Sequence, residues 1–252
     1  MLYNYHSHTK RCNHANGEDR EYVEKAIENG IEILGISDHA PYLFPNTTHY
    51  SSFRMQVDEL HEYAESVRNL QKEYKKDIRI LLGFELEYYP DFHAEEMKFL
   101  RKVNPDYILL GQHFIGNELN CIPANNHEDL ALSMYVTQVL SALSTGDFLY
   151  LAHPDIASFR YSEEVWQREY RRLCEGAKRM NIPLELNLLG IRQNRHYPSR
   201  DFFKIAAEVG NDIILGIDAH DPQHFSDKTS EEKALAMVKE LGLKLIEKPL
   251  IK

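Results

Sequence analysis

The sequence predicts one β/α barrel domain, and three observations predict it. Seven short apolar runs are mostly unbroken, as expected of parallel strands covered on both faces. Amphipathic stretches of helical period separate them, which is the pattern of successive βαβ units. No Gly/Ser-rich linker, low-complexity run or short repeat interrupts the 252 residues, so residues 1–252 read as a single domain.

The strands are expected at residues 2–5, 32–37, 78–84, 107–110, 148–152, 183–187 and 212–217, with a short one at 244–246 that closes or flanks the sheet. Helices are expected at 19–28, 55–75, 91–103, 128–143, 163–180, 199–209 and 231–241. The second and fifth of these mix charges of both signs at i,i+3 and i,i+4 spacing, the mark of a solvated outer face. They receive no functional assignment.

Composition narrows the function. Lys and Arg total 29 against 39 Asp and Glu, a formal charge of -10, so no broad positive field steers this chain onto a long nucleic acid. Cys12, Cys121 and Cys174 are far apart, odd in number and without CxxC spacing, which argues against a disulfide framework and for a reducing cytoplasm. No apolar run approaches the roughly 20 residues of a membrane helix, and no targeting segment is recognisable.

The chemistry gathers at strand ends. His6 and His8 follow the first strand, Asp38 and His39 the second, Glu85 the third, His113 the fourth, His153 the fifth, and Asp218 and His220 the seventh. In a β/α barrel these ends share one face, so residues two hundred positions apart meet there. Imidazole with carboxylate suits zinc, manganese or iron, and the absence of cysteine ligands speaks against a closed structural zinc site. The period of two in His6-x-His8 and Asp218-x-His220 lets both side chains of each pair point one way. His14, in the loop above the site, is a further ligand candidate. His49, His61, His93, His127, His196 and His224 have no comparable positional argument and are expected at the surface or behind the ligands.

These motifs resemble the polymerase and histidinol phosphatase (PHP) family: His6-Ser7-His8-Thr9, Gly35-Ile36-Ser37-Asp38-His39, Gly83-Phe84-Glu85, Gln112-His113, Ala152-His153-Pro154 and Ile217-Asp218-Ala219-His220. The match runs over nearly the whole chain. Within the family, the segments Pro154-Asp155-Ile156-Ala157-Ser158-Phe159-Arg160 and Leu186-Asn187-Leu188-Leu189-Gly190-Ile191-Arg192-Gln193 look most like those of the stand-alone histidinol-phosphate phosphatases. The resemblance implies a distorted (β/α)7 TIM-like barrel and hydrolysis of L-histidinol phosphate to L-histidinol and inorganic phosphate.

It further implies three divalent cations per chain. His6, His8, Glu85 and Asp218 would hold one; Glu85, His113 and His153 a second, with Glu85 as bridge; His14, His39 and His220 a third. Where the family often carries an acidic residue before the next ligand, this chain reads Arg11-Cys12-Asn13-His14.

A phosphate monoester substrate needs its two charges neutralised, and Arg160 and Arg195 are the expected clamps, with Arg192 an alternative to Arg195. Asp38 is either the acid that protonates the leaving alkoxide or a residue that orients a histidine. Tyr42 and Phe44, after the second strand, either wall the imidazole of the substrate or pack against neighbouring loops. Two other readings stay open: a phosphoesterase acting on another ester or a nucleotide, and a metal-binding module without catalysis.

Overall fold

In the computed structural model, which describes residues 1–44, 49, 51–120, 122–123, 129–157 and 162–251, the chain forms two compact units. The first comprises Met1–Leu86, Asp91–Leu109 and Gly216–Lys228; the second comprises Glu87–Pro90, Leu110–Leu215 and Thr229–Lys252.

The first unit is built on a sheet of order β1 (Tyr3–Asn4), β2 (Ile33–Ile36), β3 (Arg79–Leu86) and β4 (Tyr107–Leu110), with β1, β2 and β3 parallel. Every residue of β2 is buried, which explains its unbroken apolar run. Helices α1 (Asp19–Glu28), α2 (Leu60–Glu73) and α3 (His93–Leu100) belong to the same unit. α1 starts as expected, because the Glu18 and Glu21 side chains form a capping box. α2 starts five residues later than predicted: Gln56 and Glu59 form the capping box of a separate 3-10 turn, Val57–Glu59, which precedes it.

Glycines in this sheet leave room for one ring. A Cβ on Gly83 would lie 2.2 Å from Cζ of Tyr107, and one on Gly35 would lie 2.0 Å from its hydroxyl. Tyr107 is buried and donates that hydroxyl to the Tyr5 carbonyl at 2.6 Å, tying β4 to the segment that leaves β1.

In the second unit, Leu151 bridges Leu110 on one side and Leu184 on the other, both in parallel. The strand expected at 148–152 is reduced to these single bridges, and the backbone takes a positive φ of 29° at His153 directly after Ala152. β7 (Leu184–Asn187), β8 (Asp212–Gly216) and β9 (Lys244–Leu245) form a sheet in that order, and β5 (Phe114–Ile115) pairs antiparallel with β6 (Ile122–Pro123). The sequence patterns missed this small hairpin and the short helix α6 (Leu188–Arg192). α4 (Asp129–Leu143), α5 (Glu163–Arg179), α7 (Arg200–Val209) and α8 (Lys228–Leu241) complete the elements. α7 begins where Ser199 caps it, its side chain accepting from Phe202 N.

Candidate metal centre

The chain leaves β1 extended. The Ser7 hydroxyl donates to Gly35 O at 2.7 Å, so the flanking residues His6 and His8 face the opposite way, and both are fully buried. Asn4 locks the base of this segment by accepting the Ile217 N–H at 2.9 Å and donating to His6 O at 3.0 Å. The result is a cluster of donor atoms. His6 Nε2 lies 3.4 Å from Glu85 Oε2 and 3.5 Å from Asp218 Oδ1; His8 Nε2 lies 3.3 Å from each. A tetrahedral cation bound at about 2.0–2.2 Å keeps its ligand atoms about 3.3–3.6 Å apart, so these four spacings fit one. The two Nε2 atoms, at 3.0 Å, are slightly closer. His39 Nδ1 stands 3.1 Å from the same Glu85 oxygen, which leaves that carboxylate shared between two groups of donors.

A second arrangement in the first unit also calls for a cation. His14 points Nδ1 at Cys12 O (2.7 Å) and His220 points Nδ1 at Asp218 O (3.3 Å). A carbonyl only accepts, so each Nδ1 carries the proton and each Nε2 presents a lone pair. Those two Nε2 atoms face each other at 3.0 Å. Burial, with His8 close by, pushes His220 down to about 3, which keeps its imidazole neutral near pH 7. A divalent cation between the two nitrogens would use both lone pairs.

Protonation states suit ligation as well. Burial lowers the pKa of His8 and keeps it neutral. Burial also opposes ionisation of Asp218, but His6, His8 and His220 outweigh it and hold the carboxyl well below the usual range. Neutral imidazole and ionised carboxylate are the binding forms. Asp218 has a φ of 48°, a left-handed conformation uncommon for a non-glycine residue and concentrated at functional sites.

Asp38 is fully buried, and Thr9 engages both of its oxygens, through its N–H at 2.7 Å and its hydroxyl at 2.6 Å. Its Oδ1 lies 4.0 Å from His8 Nδ1, and burial pushes the carboxyl up to about 7. Tyr42 is buried, stacks on Phe44 with centroids 5.0 Å apart and lies 5.6 Å beneath the Arg54 guanidinium. Phe44 is half-buried and meets Phe92 edge-on.

The remaining predicted ligands belong to the second unit. His113 Nδ1 is 2.9 Å from Glu87 Oε1, a contact in which the carboxylate accepts and Nδ1 carries the proton. His153 donates its backbone N–H to Glu185 Oε2 at 3.0 Å and carries the positive φ noted above. The two rings have centroids 4.9 Å apart. Arg195 is exposed, with Nε on Gln193 and Nη1 on the Tyr197 hydroxyl, both at 2.8 Å. Arg192 ends α6 and is half-buried. Arg160 and His127 lie outside the described residues.

Sequence reasoning passed over Glu87 and Glu185. Glu87 braces the His113 ring and Glu185 accepts the His153 backbone N–H, while His224, expected at the surface or behind the ligands, accepts the His220 N–H on Nδ1 at 3.0 Å. One signal was available: Glu85-x-Glu87 repeats the period of two that was noticed in His6-x-His8.

The PHP domain model matches residues 4–189, and the chain belongs to that family. Among its relatives, a Deinococcus radiodurans protein named "Probable histidinol-phosphatase" is 28% identical over 86% of this chain and 85% of its own. The histidinol-phosphatase of Bacillus subtilis is 25% identical over 85% of this chain and 92% of its own. A histidinol phosphate phosphatase from Lactococcus lactis subsp. lactis, solved with zinc, L-histidinol and phosphate, superposes with a TM-score of 0.74 at 21% identity, covering 97% of this chain and 95% of that one. This likeness shows the fold class, mixed α/β with parallel strands as in the distorted TIM-like barrels.

Proposed function

We propose that this chain is a histidinol-phosphatase, hydrolysing L-histidinol phosphate to L-histidinol and inorganic phosphate in histidine biosynthesis, with divalent cations as cofactors. The observation that carries this reading is the convergence of His6, His8, Glu85 and Asp218 at spacings suited to one tetrahedral cation, in a chain that aligns with histidinol-phosphatases over most of its length. We assign three cations, the third facing the His14 and His220 nitrogens and also drawing on His39. His113 is assigned as a ligand because the buried Glu87 carboxylate braces its ring, the usual support of a ligating imidazole, and His153 because its ring stands beside that of His113, with centroids 4.9 Å apart. The match over residues 4–189 runs through parts of both units, which supports residues 1–252 working as one catalytic domain.

When bound, the cations supply Lewis-acid stabilisation of the phosphoryl oxygens and lower the pKa of water for attack. Glu85, whose Oε2 lies near His6, His8 and His39, would be the carboxylate shared between two cations. Asp38 takes the orienting role, since its oxygens are committed to Thr9 and its carboxyl backs the His8 ring. Arg195, exposed and held against Tyr197, is available to pair with phosphate oxygens, and Arg160 is proposed as its partner. The spacing of the three cysteines supports a reducing cytoplasm, and no helix among the described residues is long and apolar enough to cross a membrane.

The test is phosphate release from L-histidinol phosphate by metal-loaded protein, beside a generic monoester, a nucleotide and a metal-free control. Selective turnover of L-histidinol phosphate is expected. Turnover of another ester with none of L-histidinol phosphate would refute the substrate assignment, and release unaffected by metal removal would refute the chemistry.

A further inference from the structure

We infer that Cys12 is a direct ligand of the cation facing His14 and His220, and that its thiolate makes this position select zinc over manganese or magnesium. The inference rests on the metal-dependent reading above and adds a ligand to it. Cys12 closes the 3-10 turn Lys10–Cys12 and is 0% exposed. Donor atoms of Cys12, His14 and His220 all lie within 4.8 Å of one another. Cys12 forms a second such group with His8 and Asp38.

One observation beyond the cysteine itself points to a bound cation: the Nε2 lone pairs of His14 and His220 confront each other at 3.0 Å. A buried cysteine serving only as a small apolar filler would sit among aliphatic side chains.

The turn holds the sulfur in place. The Arg11 guanidinium bonds Asp19 and reaches Glu62 at 3.0 and 3.1 Å, while Asn13 adopts a left-handed φ of 64° and returns its N–H to Lys10 O at 3.1 Å. Cys12 and His14 are thereby presented from one rigid segment. Zinc accepts thiolate and imidazole together, whereas magnesium and manganese favour oxygen. Binding transfers the thiol proton to solvent.

The wild-type protein provides the first readout. Zinc X-ray absorption should contain a sulfur shell at about 2.3 Å beside nitrogen and oxygen at about 2.0–2.2 Å. The cobalt(II) form should show a near-ultraviolet sulfur-to-metal charge-transfer band. Cys12→Ser should abolish both and weaken zinc in a chelator competition by more than about tenfold, since loss of an outer-shell partner alone reaches that size. Cys121→Ser and Cys174→Ser should keep the band and the shell. Metal-bearing wild type with only nitrogen and oxygen neighbours would overturn the Cys12 assignment while leaving the metal centre intact, as would a band that survives Cys12→Ser. Wild type that binds no metal would overturn both.

Discussion

Replacing Glu85 with Gln probes the charge at the heart of the centre while keeping the side chain's shape. Glu85 is 1% exposed, and its Oε2 lies 3.4, 3.3 and 3.1 Å from donor nitrogens of His6, His8 and His39. With Asp218 it would balance the charge of one divalent cation, and the amide would leave half of that charge uncompensated in a buried site. Removing one partner of a buried charge pair costs about 3–5 kcal/mol. At about 1.4 kcal/mol per decade, that is a loss of roughly two to four decades in metal affinity, with turnover falling alongside. The amide is isosteric and the apolar core is untouched, so the fold should survive. Metal content by mass spectrometry, zinc affinity by chelator competition, circular dichroism and phosphate release should be read on the same preparation. Near-normal turnover with full metal content would refute the shared-carboxylate reasoning.

Burial pushes Glu96 up from 4.5 to about 7. A carboxyl raised on folding contributes its stability below pH 4.5 and loses it as pH rises through about 7, a span worth at most about 3 kcal/mol. Glu96→Gln, which can still accept the Leu43 N–H, should therefore flatten the decline in chelator-treated protein between pH 5 and pH 8; an unchanged difference in urea midpoints would reject this. Gly83→Ala drives a methyl into the Tyr107 ring and should destabilise by about 1–3 kcal/mol or more, and thermal unfolding at the wild-type midpoint would show the packing argument wrong. Arg195→Ala should raise KM and weaken inhibition by inorganic phosphate without lowering metal content, and unchanged inhibition removes it as a clamp. Phe44→Ala should impair L-histidinol phosphate more than a generic ester, whereas equal losses on both would mean general damage to the site.

Much of this protein was legible in its sequence, because the relevant signals are local. Apolar runs and helical periodicity placed β2, β4, α1 and α5 within a residue or two, since burial on both faces of a strand or one face of a helix writes its period directly into the chain. The period of two in His6-x-His8 likewise anticipated that two imidazoles leave one strand on the same side. Tertiary structure decided what depends on distant partners. The strand at 148–152 shrank to bridges at Leu151, since the pairing with Leu110 and Leu184 depends on distant backbone that no local apolar pattern encodes. Glu87 and Glu185 became supports for His113 and His153 only once hydrogen bonds 26 and 32 residues apart in sequence were made. Cys12, read from the sequence only as outside a disulfide framework, is 206 and 208 residues from Asp218 and His220 in the chain, yet its sulfur lies within 4.8 Å of donor atoms of His14 and His220, because the fold and not the spacing along the backbone sets distance in space.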